Sequence, residues 1–190
     1  MNLLKQFTHF HIRALTVLSL FMVTEIINQL NFNRLYAKKL IEDVPQEKMN
    51  IKPSAGLDNH PAFTIGHLVT AYANLMNNLT GEFILAPGFK EVFLRNGPGD
   101  PTLPNEDVSV YPSKEELLKE MDAQHERLVN YLRNISPEKL NEPFEWRLGA
   151  HFPTYGNRIL FLCVNHYAMH LGQLAAWRRA MGMDSALAKL

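Results

Sequence analysis

The chain has one cysteine, Cys163, in 190 residues, which excludes a disulfide within it and fits a reducing compartment. Net charge is missing too, because 19 Lys and Arg balance 19 Asp and Glu. Without a basic stripe there is no footprint for nucleic acid. Long apolar runs are absent. The stretch Ala14–Val23 covers ten residues, about half the ~20 that a bilayer-spanning helix needs, so no stable membrane insertion is expected. Alternating strand patterns and a Gly-rich phosphate loop are also lacking, which leaves nucleotide binding without support. What remains is 46% hydrophobic and 20% charged residues, an ordinary globular balance for a single cytoplasmic domain. Eight histidines are the count that stands out, and histidine is the side chain of metal and proton chemistry.

Residues 1–24 read as an N-terminal extension. Lys5 and Arg13 precede the Ala14–Val23 run in the manner of a signal peptide, but Thr24-Glu25-Ile26-Ile27-Asn28 follows with no small-residue cleavage pattern. The readings left open are a stretch upstream of a working start at Met22, a packed amphipathic helix, and a membrane role.

The 3.6-residue period then predicts four helices within residues 25–185, with 186–190 as a tail. The first runs from Glu25 to Val44, with Ile26, Ile27, Leu30, Ala37, Leu40, Ile41 and Val44 on one side and Pro45 as its stop. His60-Pro61 opens the second, whose apolar positions are Ile65, Leu68, Val69, Tyr72, Leu75, Met76 and Leu79. Ser113 and Glu116 form a capping box before the third, which buries Leu117, Met121, Leu128, Leu132 and Ile135. The fourth starts after Thr154 and ends near Met181-Gly182. It is apolar on nearly every face from Ile159 to Trp177, so it is expected to be the most buried of the four. Four amphipathic helices without strands imply an all-α fold, a four-helix bundle. A long crossover, Gly81–Pro112, joins helices 2 and 3 and holds five of the eleven prolines. A loop of that length serves as a crossover strap or a lid.

His166 and His170 form an H-x-x-x-H pair in the fourth helix. Four residues turn about 400°, so the imidazoles share a face with roughly 5–6 Å between Cβ atoms, near enough to ligate one ion at about 2.0–2.1 Å. Alone the motif is weak, since eight histidines placed at random give about 0.3 such pairs. Two imidazoles on an otherwise apolar stripe with Ile159, Cys163, Gln173 and Trp177 need partners, and one metal supplies both. His67, in the second helix, is the favoured third ligand. His60 competes, but about 10 Å of helix rise separates the two, and its place at the helix entrance suits a cap or an exposed position. His125 reads as surface or rim. His151 sits in a loop, and His9 and His11 lie in the extension. Tyr167 after His166 and Asn165 before it rule out the zinc-protease motif, which needs Glu there. Cys163 reads as a small buried hydrophobe.

The stretch His60-Pro61-Ala62-Phe63-Thr64-Ile65-Gly66-His67-Leu68 resembles the second-helix signature of the DinB-like superfamily. Phe152-Pro153-Thr154-Tyr155-Gly156, leading into Asn165-His166-Tyr167-Ala168-Met169-His170-Leu171-Gly172-Gln173-Leu174, resembles that family's fourth helix. The likeness covers about residues 25–185. It implies a four-helix bundle with a long crossover and a three-histidine site for a divalent metal (Zn, Ni, Fe or Mn), matching His67, His166 and His170. Imidazole ligands suit Cu as well. It further implies a homodimer, and the neutral net charge points to a small-molecule substrate and not a charged polymer. The activity implied is transfer by a low-molecular-weight thiol acting as cosubstrate; the alternatives are a metal-dependent hydrolase and a non-catalytic binding bundle. Many members carry an acidic residue where Tyr167 stands, so no catalytic acid or base is carried over and the catalytic residues are unassigned.

Overall fold

The computed structural model describes the backbone of residues 3–190 and the side chains of residues 21–190. The readings of the N-terminal extension rest on side chains outside the described residues, as do His9 and His11. Helix α1, Leu3–Ile41, begins well before the Glu25 expected and ends three residues earlier than Val44. Proline disfavours the α region for the residue before it, and the Val44 N–H closes a turn on the Ile41 carbonyl at 3.1 Å instead. Helix α2 spans Pro61–Thr80 and stops at Gly81, whose φ of 81° is the left-handed conformation that glycine adopts freely.

The crossover is not a bare strap. It contains a five-residue helix α3, Phe89–Phe93, and a 3-10 turn at Val108–Val110. Helix α4, Lys114–Leu132, opens with the expected capping box: the Ser113 hydroxyl accepts from the Glu116 N–H at 3.2 Å. The Glu116 carboxylate in turn accepts from the Ser113 N–H at 2.8 Å. It ends short of Ile135, and Pro137 then starts a separate short helix α5, Pro137–Asn141.

The fourth long helix is not one uninterrupted α-helix. Its parts are α6, Tyr155–Leu160, a π-helical segment, Phe161–His166, and α7, Tyr167–Ala180. Wider turns leave helix carbonyls without their usual partner. The buried Asn33 of α1 donates its side-chain N–H to one of them, the Cys163 carbonyl, at 3.1 Å. The π segment also resets the buried stripe. Ile159, Leu162, Cys163, Tyr167, Leu171, Leu174 and Trp177 go inside, whereas Leu160, Met169 and Gln173 are exposed. The expectation that this helix is the most buried is therefore overturned, and α2 holds that place.

The fold is all-α. Helix α1 packs against α4 and α7, and α2 packs against the same two, so one apolar core runs between all four long helices. A charged group is buried at its edge: the Arg178 guanidinium, nearly fully buried, donates to the Leu40 and Asp184 carbonyls at 2.9 Å and to the Asp43 carboxylate at 3.1 Å. Among the described residues no helix is long and apolar enough to cross a membrane.

His60 and His125 are both buried, and burial pushes each imidazole down to about 4. Their unfolded-state value is about 6.5, so the folded chain holds them neutral while the unfolded chain takes up protons. Stability is then complete above about pH 6.5 and is lost as pH falls toward about 4. Melting temperatures measured from pH 7.5 to 4.5 should fall over that window. His60→Asn, which keeps a capping side chain, should flatten the fall; an unchanged slope would remove His60 from the explanation.

Candidate metal centre

His60 and His67 start from one helix and do different work. His60 is the N-cap of α2, with its Nδ1 accepting from the Phe63 N–H at 3.2 Å and its ring edge-on to Tyr111 at 4.6 Å. It is a buried cap, and the exposed alternative is excluded. His67 lies two turns further on, half-buried, with its ring stacked 5.7 Å from that of Phe63.

What aims His67 is a residue of the crossover. Gly66 has no side chain, and the Phe93 ring occupies the space that a Cβ would fill, its nearest atom 2.3 Å from that point. Phe93 is fully buried in this seat. Its carbonyl lies 3.2 Å from His67 Nδ1. A carbonyl can only accept, so Nδ1 carries the proton and Nε2 keeps its lone pair.

His67 Nε2 is 3.4 Å from His166 Nε2, which is 3.2 Å from His170 Nε2. Ligand atoms of the three rings all lie within 4.8 Å of one another. Burial is the largest cause lowering each pKa: His166 is pushed down to about 3 and His170 to about 4, with repulsion from the neighbouring rings adding to burial, while His67 is lowered by burial and by the nearby Arg95 charge. Three neutral imidazoles thus meet through nitrogen, and a single proton between two of them leaves the third lone pair facing the others. A cation that accepts from all three satisfies the set, and neutral imidazole nitrogen is the donor that first-row divalent metals take. The Nδ1 atoms of His166 and His170 are buried without a partner among the described residues.

Above the cluster is a cavity of about 360 Å³ lined by α2, the 94–102 segment of the crossover, the Trp146–Arg147 loop and the fourth helix. The crossover wall is tied down by Arg95, whose guanidinium donates to the Val92, Leu94, Thr102 and Leu103 carbonyls and lies 4.7 Å above the Phe63 ring. Arg147 donates to the Pro98 carbonyl and so bridges two loops beside the cavity.

His67, His166 and His170 are the three histidines that the structure brings together. His125, read as surface, is instead buried, with Nε2 3.0 Å from the Asn31 side-chain oxygen. The α4 face around it turns toward α1, which its polar sequence neighbours did not signal. His151 stays in an exposed loop. Cys163 is fully buried, and burial pushes its thiol up, so it is no nucleophile. Sequence reasoning missed Phe93. For Phe93 a signal existed in the bare Gly66 beside a histidine, but its partner is 27 residues away and in no periodic relation to it.

Comparison with known families finds a match to the DinB superfamily over residues 29–174. No curated protein matches the chain.

Gly66→Ala should displace Phe93 and with it the carbonyl that orients His67. Loss of such an orienting partner lowers metal affinity by about 10–100-fold. The check is a zinc competition titration against a chelator. Gly172→Ala, where a Cβ meets nothing within 4 Å, should leave affinity unchanged, and equal affinities in the two variants would contradict the positioning role of Phe93.

Proposed function

The chain belongs to the DinB superfamily, and on that premise we propose that it is a metal-dependent enzyme acting on a small molecule in the cavity above His67, His166 and His170. The observation that carries this reading is the convergence of three imidazole nitrogens beside a cavity with no fourth His, Cys, Asp or Glu in the cluster among the described residues. A structural site normally closes with four protein ligands, and three leave a coordination position for a reactant. When bound there, a divalent ion supplies Lewis acidity and lowers the pKa of a coordinated thiol or water.

The chain's own residues supply position and environment. Phe93 fixes the tautomer and direction of His67. The rings of Phe63, Phe93, Phe161 and Trp146 form the apolar part of the cavity wall and limit water at the cluster. Tyr167, standing where many relatives have an acid, takes no part. It is fully buried, stacks on Tyr72 at 5.2 Å and donates its hydroxyl to Met121 Sδ at 3.6 Å. With no acid in that place, a reaction that requires little proton transfer from protein suits the site. A low-molecular-weight thiol, already anionic when coordinated, meets that condition better than water does. We therefore place thiol-dependent group transfer before hydrolysis.

The test is to load the protein with Zn, Ni, Fe and Mn separately and offer monobromobimane with a panel of low-molecular-weight thiols. One equivalent of metal is expected, bound more tightly than a Kd of about 10 µM, roughly 7 kcal/mol, with thiol-dependent turnover that His166→Ala abolishes. Thiol-independent cleavage of model esters or amides would replace transfer by hydrolysis. Absence of metal binding at that level would overturn both.

A further inference from the structure

Three arginines line the cavity, and two are already committed. Arg95 is spent on four backbone carbonyls of its own loop, and Arg147 on the Pro98 carbonyl. Arg158 is different. It is 8% exposed, and its guanidinium lies 4.5 Å over the Phe144 ring and 4.7 Å over the Trp146 ring. Its Nη2 donates to the neutral Asn78 side-chain oxygen at 2.7 Å, while its Nε is buried without any acceptor. Among the described residues no carboxylate lies within ion-pair distance of it. Burial lowers its pKa to about 10, which still leaves it charged at neutral pH.

A desolvated cation with spare donors and no counter-ion is costly unless something compensates it. Two aromatic faces recover part of that cost, and they also hold the guanidinium still. From Arg158 the cavity wall continues through Trp146 and Phe161, 5.5 Å apart, to the His166 ring, 6.4 Å from Phe161. The π segment makes this alignment. Eight residues of α-helix turn about 800°, which would leave Arg158 about 80° away from His166, and the wider π turns take up most of that difference.

We propose that Arg158 is the anchor for a carboxylate on the substrate, held at the far end of the Trp146–Phe161 wall from the His166 ring. A single planar fork matches a single planar carboxylate in two parallel hydrogen bonds. A phosphate, with nearly twice the charge, would call for a second desolvated cation, whereas Arg147 is exposed to solvent and Arg95 is bonded to four carbonyls. The proposal rests on the reading of the cavity as a small-molecule site but not on the presence of a metal.

The test is therefore run first on metal-free full-length protein, so that an ion cannot attract the probe. Phenylacetate and phenylacetamide are titrated separately and followed by NMR, with the Arg158 Nε–H resonance as the direct reporter in the unmodified chain. Phenylacetate should bind at least tenfold more tightly than the amide and shift that resonance, and the zinc-loaded protein should show the same preference. Arg158→Gln should equalise the two probes. Arg158→Lys, which keeps the charge and loses the fork, should retain a weaker preference and serves if the Gln variant fails to fold. Arg133→Gln, at an exposed position of α4's end outside the cavity lining, should leave the preference intact. Equal binding of the two probes to the unmodified chain, or a preference that survives Arg158→Gln, would overturn the proposal. Carboxylate selectivity without zinc binding would sustain it while removing the metal from the proposed function.

Discussion

Everything around the cavity follows from one constraint: three half-buried, neutral imidazoles meet through their ring nitrogens at 3.2–3.4 Å. Lone pairs so placed repel, and burial removes the water that would otherwise separate them. A chain that folds into this arrangement must hold it by means outside the cluster. The Phe93 carbonyl on His67 Nδ1 is one such means, and the Phe93 ring seated on Gly66 is what keeps that carbonyl in place. On the other side, the Asn33 amide on the Cys163 carbonyl holds the helix through the turns that end at His166. Both supports are buried and remote in sequence from the rings they serve.

The same supports shape the cavity. Docking of α3 on α2 brings the 94–102 segment over the histidines, and Arg95 then rivets that segment to itself through its carbonyls. The π turns that set the register of His166 and His170 also bring Arg158 round to the cavity wall. Position of the cluster and character of the cavity are therefore outcomes of two local departures from regular structure, one glycine in α2 and one widened segment in the fourth helix. Each costs helix stability, since glycine in a helix interior loses roughly 0.5–1 kcal/mol against alanine, and each is placed where a site needs it.

Much of this was legible from residue order. The capping box at Ser113 and Glu116, the Pro61 start of α2, the Thr154 cap and the stop at Gly182 are local signals, and all four appear as read. The i, i+4 spacing of His166 and His170 survives because it falls at and beyond the end of the π segment. The errors share a cause as well. Burial of His125 and the exposed Met169 and Gln173 depend on which way a helix face turns in three dimensions. A 3.6-residue period carries that information only while the helix remains regular and its neighbours are known. The π segment breaks the first condition, and the docking of α3, set by a contact across 27 residues, lies beyond any periodic pattern.

X-ray absorption at the zinc edge of the zinc-loaded protein reads the coordination shell without reference to substrate or turnover. Three imidazole nitrogens at about 2.0–2.1 Å, with the outer-shell scattering that imidazole rings give, and no sulfur are the predicted result. A shell with fewer than three imidazoles, or one containing the Cys163 sulfur, would contradict the placement of a metal at His67, His166 and His170.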